Sequence, residues 1–444
     1  MATRQFFSLL FILLSFKLFS QTDTTKSIDE GQKNIEKEVV EKLKYKQQPG
    51  LALAASKIFF SEKRYSISGF GEVNYVHYLG DKDVNVGDLE LYYTNLYRFA
   101  TFFGYRIKDN FIWNSEFQVE YLHDGTREGE AEIVIEAFFD YLWKDYLKAR
   151  VGFLPLPIGY VNNNDEPIMF YSVNRSEVER LIVPSTWIEL GTMLYGNITE
   201  DLSYALGISQ GVNADRFIGG TWIRQGREIS LNFNDQISFT PQLIYNGVEN
   251  LTLSASAYLG NSGQRRTILR NNQRIELKAP VQLYTAYAKY EWENFRFISV
   301  GTYGRLGETD KIYDLTSQIT SNTPQVLGKE TYGYLFEFGV DILKYFNIDK
   351  EKEHKKLFFY DKSEIKLPIF FRYERLNTHQ RVHQSLENLP FNQNDLDIWT
   401  VGVNFNTKEN IVLKANYQFR NNRFQNPNIG REGNLLEFGL GFIF

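Results

Sequence analysis

The chain has no cysteine among its 444 residues, which excludes disulfide frameworks and thiolate metal sites. It also has no long hydrophobic run beyond its first 20 residues. No window there reaches 18 apolar residues, so the rest of the chain offers no membrane-spanning helix. A basic excess is missing too. Net charge is −5, no basic patch is interleaved with aromatics, and a nucleic-acid partner is therefore not expected. Histidines number 5. His123 and Asp124 are adjacent, but consecutive strand residues point to opposite faces. His354, His379 and His383 fall in expected connections, and no Ser-His-Asn set stands out. Neither an enzyme nor a cofactor is expected, and no acidic spacing compels a calcium site.

What the chain does have is aromatic side chains, 28 Tyr and 36 Phe among them. That surplus suits aromatic bands at two membrane interfaces. Residues 1–20 read as a secretory signal. Arg4 supplies the positive start, Phe6–Phe16 the short apolar core, and cleavage is expected between Ser20 and Gln21. Residues 21–64 follow as a periplasmic N-terminal segment, a short helix or a linker. Ile28, Ile35, Val39 and Leu43 carry the helical spacing. Leu51–Phe60 is mostly apolar but too short to span. An exported chain without a membrane helix is either soluble or a β-barrel.

From Tyr65 the apolar period becomes two and stays so, the signature of extended strands. In Phe111–Leu122, the residues Phe111, Trp113, Phe117, Val119 and Tyr121 share one face, and Asn114, Glu116, Gln118 and Glu120 the other. Leu89–Arg106 and Ile411–Phe419 repeat the pattern. Sixteen such segments begin near 65, 88, 111, 131, 147, 186, 202, 236, 251, 282, 295, 332, 366, 395, 410 and 434. Short polar turns such as 108–110, 144–146, 199–201, 291–294 and 407–409 follow every second strand, with 344–364 as an exception. Longer loops fall between them, the longest near 155–185, 210–235 and 304–331. An even strand number, with short turns at one end and long loops at the other, predicts an all-β fold. It is a transmembrane antiparallel barrel over 65–444, in the outer membrane of a Gram-negative cell. Closure leaves no unpaired strand edge in lipid.

The last stretch, LLEFGLGFIF at 435–444, keeps this phase. Leu436, Phe438, Leu440, Phe442 and Phe444 share a large apolar face, and Leu435, Glu437, Gly439, Gly441 and Ile443 the other. The last strand is expected to close the barrel against the first. A terminal aromatic in phase with apolar neighbours also resembles the signal that barrel-assembly machinery reads, which makes Phe444 the expected assembly signal.

SISGFGEVNY (66–75), ARVGFLPLPIGYVNNNDEP (149–167) and ERLIVPSTWIELG (179–191) resemble the phosphate-selective porin O/P family, in its Bacteroidetes-type branch. FSQ at 19–21 fits the same group. The resemblance covers roughly residues 65–200. It implies a sixteen-stranded, homotrimeric pore for small solutes or ions in outer-membrane lipid. The family name implies phosphate selectivity, which needs clustered Arg and Lys along the path. The expected lumen faces instead carry both signs. Arg98, Arg106, Lys148, Arg150, Lys289, Arg296, Arg372 and Lys414 stand against Glu72, Glu90, Glu116, Glu120, Glu132, Glu136, Asp140, Glu189, Glu374 and Glu437.

After Phe153 comes a long connection stiffened by Pro155, Pro157, Pro167 and Pro184, and too apolar to wave in water. Ile158, Met169, Phe170, Tyr171, Val173, Leu181, Ile182 and Val183 must pack somewhere. The expectation is that loop 155–185, the third long one, folds into the lumen as a constriction. Asn162–Asn164, Asp165, Glu166, Arg175, Glu177, Glu179 and Arg180 would narrow the path. Arg98, Arg106, Glu116, Glu120 and Arg150 are the wall candidates. The expected function is passive diffusion through a porin. The alternative is a non-conducting barrel, an adhesin or scaffold of a transport or secretion complex, whose mark would be a lumen filled by its own chain. Residues 21–64 are a candidate plug.

Overall fold

The computed structural model describes residues 43–80, 95–123, 130–227, 235–319, 324–346, 357, 359–424 and 431–444. The secretory signal, most of 21–50, Glu90, Asp124 and His354 lie outside the described residues. Tyr45–Phe444 form one compact unit.

Among the described residues eighteen strands follow one another: β1 Tyr65–Tyr78, β2 Asn95–Lys108, β3 Phe111–His123, β4 Glu130–Lys144, β5 Leu147–Pro155, β6 Ile188–Asn197, β7 Leu202–Gln210, β8 Ile237–Val248 and β9 Leu251–Asn261, then β10 Thr267–Arg270, β11 Gln273–Glu276, β12 Pro280–Trp292, β13 Phe295–Leu306, β14 Glu330–Asp341, β15 Pro368–Arg381, β16 Asp395–Lys408, β17 Ile411–Asn422 and β18 Leu435–Ile443. All but β10 and β11 join, neighbour to neighbour, into a closed antiparallel barrel of sixteen strands. β18 closes it against β1, from Phe70 opposite Ile443 to Tyr78 opposite Leu435. Beyond that ladder the Phe444 N–H donates to the Gly69 carbonyl at 2.8 Å, and the Gly69 N–H to Phe444 at 3.0 Å.

The alternation expected from sequence sorts the two faces. Phe117, Val119 and Tyr121 are exposed while Asn114, Glu116 and Gln118 are buried. Phe438, Leu440 and Phe444 face outward, and Glu437 is buried in the lumen. An apolar band around a closed wall is what lipid requires, since a closed ladder satisfies every strand's N–H and C=O. Tyr105, Tyr141, Trp143, Tyr146 and Trp292 crowd the outer face near the short turns, and Tyr97, Tyr121 and Trp399 near the other end. These are the two aromatic girdles of a barrel that spans the outer membrane.

Strand starts agree with the sequence periods, apart from β2, which the structure describes only from Asn95. Three features differ from expectation. The hairpin β10–β11 sits in the connection after β9, and its four-residue strands are too short to show a period. A helix, Thr309–Gln318, occupies the β13–β14 connection. His379, expected in a connection, belongs to β15, where its imidazole is buried and its Nε2 meets the Val326 carbonyl at 2.9 Å.

Candidate functional site

The β5–β6 connection, residues 156–187, lies inside the barrel. From Leu154 to Glu189 no residue is exposed. Its local conformation is set by its own side chains. The amides of Asn162, Asn163 and Asn164 donate to the carbonyls of Ile158, Gly159 and Tyr160, each four residues back, at 3.0, 2.7 and 2.9 Å. Asparagine competes with regular structure in this way. Asn162 also reaches the Pro184 carbonyl at 2.8 Å, which ties the two limbs of the loop together. Ser176 then caps the short helix Glu177–Leu181 by accepting from the Glu179 N–H at 3.3 Å.

Inward glycines make room for the loop's apolar residues. A Cβ on Gly339 would lie 2.2 Å from the Tyr171 ring, one on Gly441 2.5 Å from Pro167, and one on Gly333 2.9 Å from Val178. The small inner face of the last strand therefore has a packing reason.

Ion pairs fix the loop to the wall. The Arg98 side chain on β2 is fully buried and meets Glu72 at 2.8 Å, Asp165 at 2.9 Å and Glu120 at 3.9 Å. Asp165 also pairs with Arg175. Three strands around the wall from β2, Glu177 binds Arg420 of β17 at 2.8 Å and Arg180 at 2.7 Å. Burial alone would raise the Glu177 carboxyl, but Arg180 and Arg420 hold it below its usual range. Lys414 of β17 donates to the carbonyls of Phe170 and Ser172 at 2.8 and 3.0 Å. The Val178 N–H donates to Glu374 of β15, and Arg372 pairs with Glu374 at 2.8 Å. Glu179 makes no ion pair among the described residues. It accepts the N–H groups of Tyr160 and Val161 at 2.5 and 3.0 Å, and burial pushes its carboxyl up to about 7.

Beneath the loop lies a second chain segment, residues 45–60. Its short helix Leu53–Ser56 and the turn after it are buried at the short-turn end of the lumen, with Leu51 and Ile58 fully enclosed. The Ala54 N–H donates to Glu166 of the loop at 2.8 Å, and the Gly50 N–H to Asn163 at 3.2 Å. The wall reaches in as well. Ser68 donates to the Ala54 carbonyl at 2.6 Å, Asn114 to Ala55 at 2.8 Å, Arg150 to Pro49 at 2.8 Å and Arg106 to Ile58 at 2.8 Å. Gly104 leaves the space that Ile58 fills.

The sequence candidates thus fall into two groups. Arg98, Glu120, Asp165, Glu166 and Arg175 come together around the loop's middle, and Arg180 joins the β17 cluster. Arg106 and Arg150 hold the 45–60 segment, Arg150 from within an ion pair with Asp140 at 3.0 Å. Glu116 is buried opposite Glu136 across β3 and β4. The Glu132 side chain lies outside the described residues. Phe444 is at the barrel's closing seam, its ring stacked on Phe99 at 6.0 Å and lying across Gly69. The sequence offers residues 21–64 as a candidate plug without singling out 45–60, and the glycines that admit the loop escaped sequence reasoning. The signals were the apolar, alanine-rich run Leu51–Phe60 and the inward Gly439 and Gly441. Among the described residues no cluster of three acidic or histidine side chains could hold a metal ion.

No family model matches the chain. A protein of Aquifex aeolicus (strain VF5), described only as uncharacterized, is 29% identical over 386 residues, covering 86% of this chain and 81% of its own. Among solved structures, Salmonella typhi OmpF in complex with daunomycin matches with a TM-score of 0.51 and 11% identity, covering 86% of this chain and 97% of its own. The outer membrane channel DcaP of Acinetobacter baumannii matches with a TM-score of 0.50, 9% identity and the same coverage. At such identities the likeness concerns the fold. With the closed wall and apolar band, it makes the chain a Gram-negative outer-membrane barrel.

Proposed function

We propose that the protein is a porin through which small hydrophilic solutes or ions diffuse passively, with loop 156–187 as its constriction. The observation that carries this reading is a polar wall closed on itself, with a buried loop inside it that runs from β5 to the far wall at β15. A sixteen-stranded barrel encloses an aqueous lumen unless something fills it. Here the loop leaves β5, and its Val178 N–H reaches Glu374 on β15, eight strands around the ring, which supports a loop that crosses the lumen over one that caps a rim. The likeness to DcaP, an outer membrane channel, supports the same reading. Arg98, Arg106, Glu116, Glu120, Arg150, Asp165, Glu166, Arg175 and Arg180 then act by holding the loop and the 45–60 segment in place. Their charges are largely matched, which gives no support to phosphate selectivity. A homotrimer and recognition of Phe444 by assembly machinery rest on the family resemblance of the sequence, and both belong to this proposal.

One observation favours the alternative, a non-conducting scaffold or adhesin barrel. Loop and 45–60 segment are both buried, one stacked on the other. Single-channel recording in planar bilayers with a salt gradient separates the readings. Discrete current steps support the porin. Folded, heat-modifiable protein that never conducts supports the scaffold.

A further inference from the structure

The charged residues of the lumen are concentrated on β1–β5 and β13–β18. The inner faces of β8, β9 and β12 are different. Thr240, Gln242, Ser254, Ser256, Thr285 and Tyr287 occupy adjacent positions there, all buried and none charged. Register puts Gln242 and Thr285 on either side of Ser256, and Tyr287 opposite Ser254. Thr240 Oγ1, Thr285 Oγ1 and both amide atoms of Gln242 meet no hydrogen-bond partner among the described residues. A buried polar group left unpaired is costly, and native structures carry few of them. Three such side chains in one patch point to a ligand or solvent that pairs with them.

This patch also lies where the loop is held most lightly. The loop's ion pairs run to β2 and β17. Against β9 and β12 it makes a Gly159 N–H to Ser256 Oγ bond at 3.3 Å and sets the edge of Tyr160 against Tyr287 at 5.2 Å and the Trp187 ring against Tyr258 at 4.5 Å. Directly below, at the periplasmic end, opens a cavity of about 390 Å³ whose lining includes Tyr160, Asn163, Tyr195, Asn246, Thr252 and Tyr287. Gln242 and Thr285 stand one rung above it, two residues along the same faces from Ile244 and Tyr287. The volume falls within the range of small-molecule sites, roughly 300–1,000 Å³. Of its lysines, Lys289 is paired with Glu291 at 2.8 Å, Lys46 is exposed at the rim, and Lys148 is half-buried on β5.

We infer that the seam between Gly159–Tyr160 and the hydroxyl- and amide-bearing faces of β8, β9 and β12, with the cavity below it, binds and passes an uncharged polyhydroxyl solute of monosaccharide size. Hydroxyls and amides both donate and accept, as sugar hydroxyls do, and tyrosine rings offer flat apolar surface to sugar C–H faces. A charged solute entering this rung would lose water without meeting a counter-charge. The inference rests on the channel reading and adds its solute class.

The test uses the full-chain protein in two settings. In micelles, saturation-transfer NMR is read with glucose, sorbitol and inorganic phosphate. In planar bilayers, ion current is read with the same solutes on the short-turn side. Glucose and sorbitol are expected to bind and to block current in a saturable way, with phosphate doing neither. The double variant Thr285→Val, Gln242→Leu removes the unpaired groups without removing bulk, so it should keep its heat-modifiable mobility. Sugar binding should weaken by about tenfold, the size of one hydrogen bond. Unchanged sugar binding in that variant, or phosphate binding in place of sugar, overturns the inference. Conduction without sugar binding overturns it and leaves the channel reading intact. Sugar binding without conduction removes the channel reading and the passage, and leaves a sugar-binding site.

Discussion

Arg98 on the wall and Asp165 on the lumen loop are joined by an ion pair of 2.9 Å that bridges 67 residues of chain. Arg98 is also the shared cation of Glu72 and Glu120. Replacing it with alanine removes the cation shared by three carboxylates in a closed lumen, of which Asp165 keeps Arg175. Removing one partner of a buried pair costs about 3–5 kcal/mol, because the remaining charge has no compensation. Arg98→Ala should lower the temperature at which the barrel loses its compact electrophoretic mobility, and adding Asp165→Asn should recover part of the loss. A single variant with wild-type mobility at all temperatures would show that the cluster does not hold the loop.

The Ala54–Glu166 contact predicts a pH response. Burial pushes the Glu166 carboxyl up to about 7, Asp165 adds to the rise, and the Ala54 N–H works against it. Asp165 itself stands at about 6, raised by burial against the pull of Arg98. Tyr45 is the other titratable group that feels Glu166. A carboxyl whose folded value is raised contributes stability that is complete below its ordinary value of about 4.5 and lost as pH climbs through 7. The closed arrangement of loop and 45–60 segment should therefore be firmest in mild acid and loosen towards pH 8. Glu166→Gln should flatten that part of the profile. Protease cleavage within 45–60, measured on wild type and variant from pH 5 to 8, reads the change. Identical profiles would exclude Glu166 as its source.

Sequence carries the wall more fully than its contents, for a physical reason. Every strand has lipid on one side and a polar lumen on the other, so period two runs through it, as in Phe111–His123 and Leu435–Ile443. The β10–β11 hairpin is only four residues a strand and has no lipid face to impose a pattern. The loop was legible through its prolines and its apolar residues, which need a place to pack. Its individual anchors were not, because Arg420 and Glu177 are 243 residues apart and charges of both signs line the whole wall. Leu51–Phe60 shows neither strand nor spanning-helix period because it packs against several surfaces at once, among them Gly104, Ser68, Asn114 and Glu166.

Phe444 should matter more to assembly than to stability. Its ring covers Gly69 and stacks with Phe99 and Phe442, at 6.0 and 6.2 Å. A charge near the membrane interface costs roughly 0–1 kcal/mol, so Phe444→Asp perturbs the folded wall only mildly. If assembly machinery reads this residue, the variant's level in the outer membrane should fall sharply in cells. The same variant refolded in detergent should still reach the heat-modifiable form. Normal cellular levels would remove Phe444 as an assembly signal.

Two elements fill the lumen, and the last prediction separates them. The 45–60 segment depends on space at Gly104, where an added Cβ would come 2.5 Å from Cβ of Ile58. Gly104→Leu should therefore displace the Ile58 turn without disturbing the β1–β2 ladder, whose hydrogen bonds are made by backbone alone. The loop can be relieved independently by shortening it between Asn162 and Val183. That deletion removes the Glu177–Arg420 anchor and the Asp165–Arg98 anchor together, and the strands on either side keep their register. If the loop is the constriction, the shortened protein should show larger unit conductance and admit larger sugars, with Gly104→Leu changing little. If the 45–60 segment closes the path, Gly104→Leu alone should raise the open fraction at unchanged unit conductance. The loop deletion would then act only in its presence. Where both act, their effects should multiply, because the segments are in series along one lumen. A folded double variant with no current would mean that neither segment blocks a path, and the barrel would be a scaffold.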